Sequence, residues 1–150
     1  MTNKKLIGGF TLIELLVSIS IIAILTTLLT ANFIGARQRG RDGQRKANLF
    51  QIQSALELFR TDNGNYPFPS MAPSPGCGDN ASLQSAGGTI YMQTIPCDPQ
   101  SDSAYLYTST DGVTYELVTC LENSEDSDAS SDPADASLCT SGVPFKLTNP

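Results

Sequence analysis

Residues 10–34 read FTLIELLVSISIIAILTTLLTANFI, and 17 of these 25 residues are apolar. At about 1.5 Å rise per residue, a helix of that length reaches across a hydrocarbon core of about 30 Å. The run exceeds the apolar stretch of an ordinary secretory signal, roughly 7–15 residues, and Leu29-Thr30-Ala31 is a poor small-x-small cleavage site. Lys4 and Lys5 precede it, while Arg37, Arg39, Arg41, Arg45 and Lys46 follow, so charge alone leaves the orientation open. Glu14 interrupts the run with a carboxylate, which is costly in lipid without a partner. A cut before Phe10 would create an α-amino group four residues from Glu14, able to meet it within the chain or in a neighbouring copy. The alternative is a glutamate that stays protonated or snorkels to the interface.

Charge divides as sharply as hydropathy does. Residues 1–60 hold eight basic and three acidic side chains, net +5, and residues 61–150 hold Lys146 against twelve acids, net −11. The distal part is therefore no nucleic-acid surface. The basic stretch from Arg37 to Lys46 reads as an interfacial anchor flanking a membrane span rather than a DNA contact. The chain contains no histidine, which excludes Ser-His-Asp and Cys-His catalysis and a His-bearing zinc site. No Walker-type phosphate loop is present, and nothing fixes a pair of acids across a cleft as a carboxylate hydrolase requires, so an enzyme is not expected.

Beyond the apolar run, Leu49, Ile52, Leu56 and Phe59 recur at spacings of three, four and three, which predicts an amphipathic helix whose stripe docks on a sheet. Gly64 and Pro67 predict its end near Asp62. Residues 67–88 read as a turn-rich loop. Tyr105 and Tyr107, then Tyr115 and Leu117, lie on β-prone runs at 104–108 and 113–119 around Ser109-Thr110-Asp111-Gly112, which predicts an antiparallel hairpin covering the helix stripe. Residues 143–147 add a third, edge strand in which Pro144 is tolerated.

The leader Lys4-Lys5-Leu6-Ile7-Gly8-Gly9 followed by Phe10-Thr11-Leu12-Ile13-Glu14-Leu15-Leu16-Val17 resembles the signal of type IV pilins and type II secretion pseudopilins. Asp62-Asn63-Gly64-Asn65-Tyr66-Pro67 and Pro96-Cys97-Asp98-Pro99 are similar to segments of the major pseudopilins. The resemblance implies an α+β fold in which a long N-terminal helix packs on a small antiparallel sheet. It implies a cleaved leader at 1–9, a transmembrane and assembly helix at 10–34, and an extracytoplasmic domain at 35–150 that includes the amphipathic helix half, 35–62. It also implies cleavage by prepilin peptidase between Gly9 and Phe10, N-methylation of Phe10, and Glu14 as the carboxylate that guides docking. Cleavage would remove Lys4 and Lys5 and take the net charge from −6 to −8. Many members carry a proline where Ala31 stands here, so local helix melting in a filament is not implied at that point, although Gly35, Gly40 and Gly43 weaken helix just beyond it.

Cys77, Cys97, Cys120 and Cys139 permit three pairings and form no CxxC motif, so disulfides are expected, and sequence order suggests Cys77 with Cys97 and Cys120 with Cys139. Between the last two lie Glu122, Glu125, Asp126, Asp128, Asp132 and Asp135. These residues by themselves read as a solvated acidic loop. The resemblance implies a calcium loop there, with Asp126, Asp128, Asp132 and Asp135 as the ligands.

The expected function is a structural subunit of a type IV filament, either a major pseudopilin or a type IV pilin. Its expected partners are copies of itself and related subunits, prepilin peptidase, an inner-membrane assembly platform and, before assembly, membrane lipid. The expected location is a single-pass cytoplasmic membrane protein whose distal domain lies outside, then a periplasmic or surface filament. A membrane-anchored extracellular binding module, calcium-binding or not, that does not polymerise is the alternative.

Overall fold

The computed structural model describes residues 9–68 and 76–150, with their side chains except those of 28–32, 133 and 134. The chain divides into two units, the first ending at Arg37 and the second running Gln38–Pro150. A long helix, α1, covers Leu12–Asn63. Leader residues 1–8, Lys4 and Lys5 among them, lie outside the described residues.

In the first unit the apolar side chains from Phe10 to Leu25 are exposed. The hydroxyls among them bond to the carbonyl four residues back: Ser18 to Glu14 at 2.7 Å, Ser20 to Leu16 at 2.8 Å and Thr27 to Ala23 at 2.9 Å. Each polar group is thus satisfied inside the helix, as an apolar surrounding requires. Among the described residues no helix is long and apolar enough to cross a membrane. The span expected at 10–34 includes side chains 28–32, which lie outside the described residues.

In the second unit the helix stripe is buried as its spacing predicts. Leu49, Ile52, Ala55, Leu56 and Phe59 pack against Tyr66, Leu83, Ile95, Tyr115, Leu117, Leu121 and Phe145. Each such aliphatic or aromatic side chain taken from water contributes about 1.5–3 kcal/mol. Helix α1 ends one residue later than expected, at Asn63. Gly64 takes φ +79° and donates its N–H to the Arg60 carbonyl at 2.8 Å, a left-handed cap open to glycine without strain. Gly40 and Gly43 do not interrupt the helix, whose second half is held by this packing rather than by propensity.

Among the described residues five strands follow: β1 (Leu83–Gln84), β2 (Ile90–Met92), β3 (Leu106–Thr108), β4 (Glu116–Leu121) and β5 (Val143–Thr148). A single turn of helix, α2 (Pro133–Ala136), precedes β5. Strands β3, β4 and β5 form an antiparallel sheet in that order, with Tyr107 opposite Leu117 and Thr119 opposite Phe145. Pro144 sits on the edge strand β5, where its missing N–H is tolerated.

Two expectations are corrected. The hairpin strands are shorter and shifted, because the Asp111 carboxylate accepts the N–H groups of Val113 and Thr114 at 2.9 and 2.8 Å and holds 109–115 as a wide turn. Tyr115 and Leu117 cover the helix stripe fully, whereas Tyr105 and Tyr107 are only half-buried. The stretch 67–88 is not all loop, since β1 pairs with β2 in a separate two-stranded ribbon.

Candidate functional site

The helix begins with a reciprocal pair of bonds. Glu14 accepts the Thr11 N–H at 2.8 Å and the Thr11 hydroxyl at 2.7 Å, while Thr11 Oγ1 accepts the Glu14 N–H at 3.3 Å. This is the capping box written as Thr-x-x-Glu, two donors at a helix start satisfied by each other's side chains. The carboxylate thus has a partner within the chain, one that sequence reading overlooked although the four-residue pattern spells it. Gly9 and Phe10 lie just before the helix; a Cβ at Gly9 would meet nothing within 4 Å, and Phe10 is 73% exposed. Glu14 lies at a shallow concavity lined also by Phe10, Ile13, Val17 and Ser18.

In the second unit the two halves of the charge pattern meet. Arg45 is 3% exposed, and its five donors find five acceptors. These are Asp42 Oδ1 at 2.7 Å, Glu122 Oε1 at 2.8 Å, both Asp98 oxygens at 2.6 and 3.3 Å, and Gln100 Oε1 at 3.2 Å. Arg41 grips Glu122 through two nitrogens. Asp42, buried beside Arg45, accepts the N–H groups of Glu122 and Asn123, each at 2.9 Å. Burial pushes the Asp98 carboxyl up, but Arg45 and the N–H groups of Ser101 and Gln100 override it and hold the group well below the usual carboxylate range. The bond from Arg41, against burial and with Arg45 assisting, lowers Glu122 as well.

The acidic loop is likewise engaged. Lys46 Nζ bonds Asp126 at 2.5 Å and Asp128 at 2.7 Å. Asp135, buried, accepts the Ser130 hydroxyl at 2.6 Å and Lys146 Nζ at 3.0 Å, and these bonds lower its pKa. The Asp132 carbonyl accepts the N–H groups of Asp135 and Ala136 at the start of α2. The four carboxylates expected as calcium ligands are therefore not brought together. Among the described residues no group of three or more His, Cys, Asp or Glu side chains is placed to hold a metal ion. Arg41, Arg45 and Lys46, expected at a membrane interface, turn instead onto carboxylates of their own domain. Disulfides join Cys77 to Cys97 and Cys120 to Cys139.

Comparison with known proteins places the N-terminus. Residues 4–30 match the family model for the prokaryotic N-terminal methylation motif. The chain is 26% identical over 129 residues to the type II secretion system core protein G of Escherichia coli, covering 83% of this chain and 86% of that protein. It is 28% identical over 108 residues to the protein of the same name from Aeromonas hydrophila, 65% of this chain and 70% of that one. The chain is thus similar to type II secretion pseudopilins along most of its length and carries their N-terminal methylation motif. It also shares 45% identity over 66 residues with the type IV wide pilus major component of Thermus thermophilus, 44% of this chain and 48% of that protein. No solved structure matches. In this pilin-like chain the matched motif contains Gly9, Phe10 and Glu14, the residues at the exposed helix start.

Proposed function

We propose that the chain is the major subunit of a type II secretion pseudopilus or of a closely related type IV pilus, with a structural rather than an enzymatic role. A prepilin peptidase cuts between Gly9 and Phe10 and methylates the new N-terminus. The run 10–34 holds the subunit in the cytoplasmic membrane with the distal domain outside, until an assembly platform moves it into a periplasmic or surface filament. In the filament the apolar helix faces cover one another, and Glu14 leaves Thr11 to meet a neighbour's Phe10 amino group, a buried charge pair that sets register.

The observation that carries this reading is the methylation motif over 4–30, which takes in a helix start whose described apolar side chains are exposed. The similarity to core protein G over most of both chains favours the secretion pseudopilus. The test is the mass of the N-terminal peptide of the protein from its own cells, in membrane and sheared extracellular fractions. A peptide starting at N-methylated Phe10 is expected, and its share in the sheared fraction separates surface pilus from pseudopilus. A start at Met1, with monomers after mild detergent extraction, overturns the filament reading.

A further inference from the structure

The segment closed by Cys120–Cys139 carries six carboxylates and no basic residue. Left to itself such a loop repels its own charges and does not collapse. In the structure Arg41 and Arg45 hold Glu122 at its start, and two lysines from other elements enter beyond it. Lys46 comes from α1, with its ammonium over the Phe145 ring at 5.5 Å, and bonds Asp126 and Asp128. Lys146 comes from β5 and joins buried Asp135 to Glu116. Both side chains are about four-fifths covered, at 18% and 20% exposure.

We propose that these two ammonium groups are the resident cations of the loop, so that it folds and holds its shape without a divalent metal ion. Together they supply the charge of one divalent cation. They are tethered to the same chain, so they are present at the high effective concentration that covalent linkage gives and need not be captured from solvent. A calcium ion needs six to eight oxygens at about 2.3–2.6 Å, several of them from one set of neighbouring carboxylates. Here Asp126 and Asp128 are held by Lys46 and Asp135 by Lys146, on different elements, and a metal at Asp126 and Asp128 would have to displace Lys46 from both. This inference does not rest on the filament reading and stands or falls separately from it.

The test uses the full chain in detergent micelles. Thermal unfolding is followed in millimolar calcium and in excess chelator, and calcium itself is titrated by calorimetry. Coincident midpoints and no heat of binding are expected. Lys46→Met should lower the midpoint by several degrees in chelator, and the loss should shrink when Asp126→Asn and Asp128→Asn accompany it, because the uncompensated repulsion is then gone. A calcium-raised midpoint of the unaltered chain, calorimetric binding, or a Lys46→Met loss of equal size with and without the two carboxylates overturns the proposal. If Lys46→Met does not fold, the calcium comparison on the unaltered chain still decides, with Lys146→Met in the presence and absence of Asp135→Asn as the second cycle.

Discussion

The two stretches of α1 treat polar groups in opposite ways. From Leu12 to Thr27 every described hydroxyl and the Glu14 carboxylate bond to atoms within four residues, and the apolar side chains between them remain uncovered. From Arg41 to Lys46 the charged groups reach across about 50–80 residues of sequence to Asp98, Glu122 and Asp126, and the apolar stripe beyond is sealed. One stretch is electrostatically closed and hydrophobically open; the other is closed in both respects. Uncovered apolar surface of that extent marks an interaction face. A surface finished in its polar groups and unfinished in its apolar ones suits lipid first and other helices afterwards, whereas the second stretch is the interior of an ordinary water-soluble fold.

The most severe way to break this contrast is to open the first stretch electrostatically. With Glu14→Leu the proposed partner amino group would be left buried and unpaired, at a cost of about 3–5 kcal/mol, or more than a hundredfold in docking. Sheared-filament yield should collapse while the midpoint of the distal domain stays unchanged. Arg45→Met makes the converse break. It strips Asp42, Asp98 and Glu122 of a buried cation and should cost a similar ~3–5 kcal/mol of stability, read as a midpoint lower by more than about 10 °C. Cys120→Ser with Cys139→Ser should remove about 3 kcal/mol by freeing the unfolded chain, without altering the N-terminal peptide.

Gly142→Ala is more local. Gly142 has φ +82°, and a Cβ there would stand 2.0 Å from the Leu121 carbonyl oxygen, so a loss of about 2 kcal/mol is expected from thermal melts. The mildest probe is pH. Asp98, Glu122, Asp126 and Asp135 have folded pKa values below their ordinary ones, so their contribution is present above about pH 5 and is lost as pH falls through and below 4. Lys46 and Lys146 are raised, against burial in each case. Bonds to Asp126 and Asp128 raise the first and the bond to Asp135 the second, so their contribution is present below about pH 10 and lost above it. A stability plateau between these limits is expected from melts across pH.

Much of this was legible before any coordinates. The helix stripe declared itself because a 3.6-residue period is local, and the helix end because Gly64 and Pro67 act on their own neighbours. The hairpin was legible, but its strand limits were not, since the Asp111 side chain captures backbone donors that alternation assigns to a ladder. Strands β1 and β2, of two and three residues, are too short to show a period, although Gly87-Gly88 between them marks a turn. The charge clusters were visible as a basic block and an acidic block, yet nothing local says that one folds onto the other. That pairing is a tertiary fact, and it draws Arg41, Arg45 and Lys46 of the basic block into an internal clasp.

The clasp also fixes how the domain would carry load. Any pull along α1 reaches the sheet through Arg41 and Arg45 at Glu122, and through Asp42 at the N–H groups of Glu122 and Asn123, immediately past the end of β4. Strand β4 is the one strand of its sheet with a neighbour on both sides, and Cys120, near its end, is tied to Cys139. Tension thus enters the sheet at the end of its central strand, beside the disulfide.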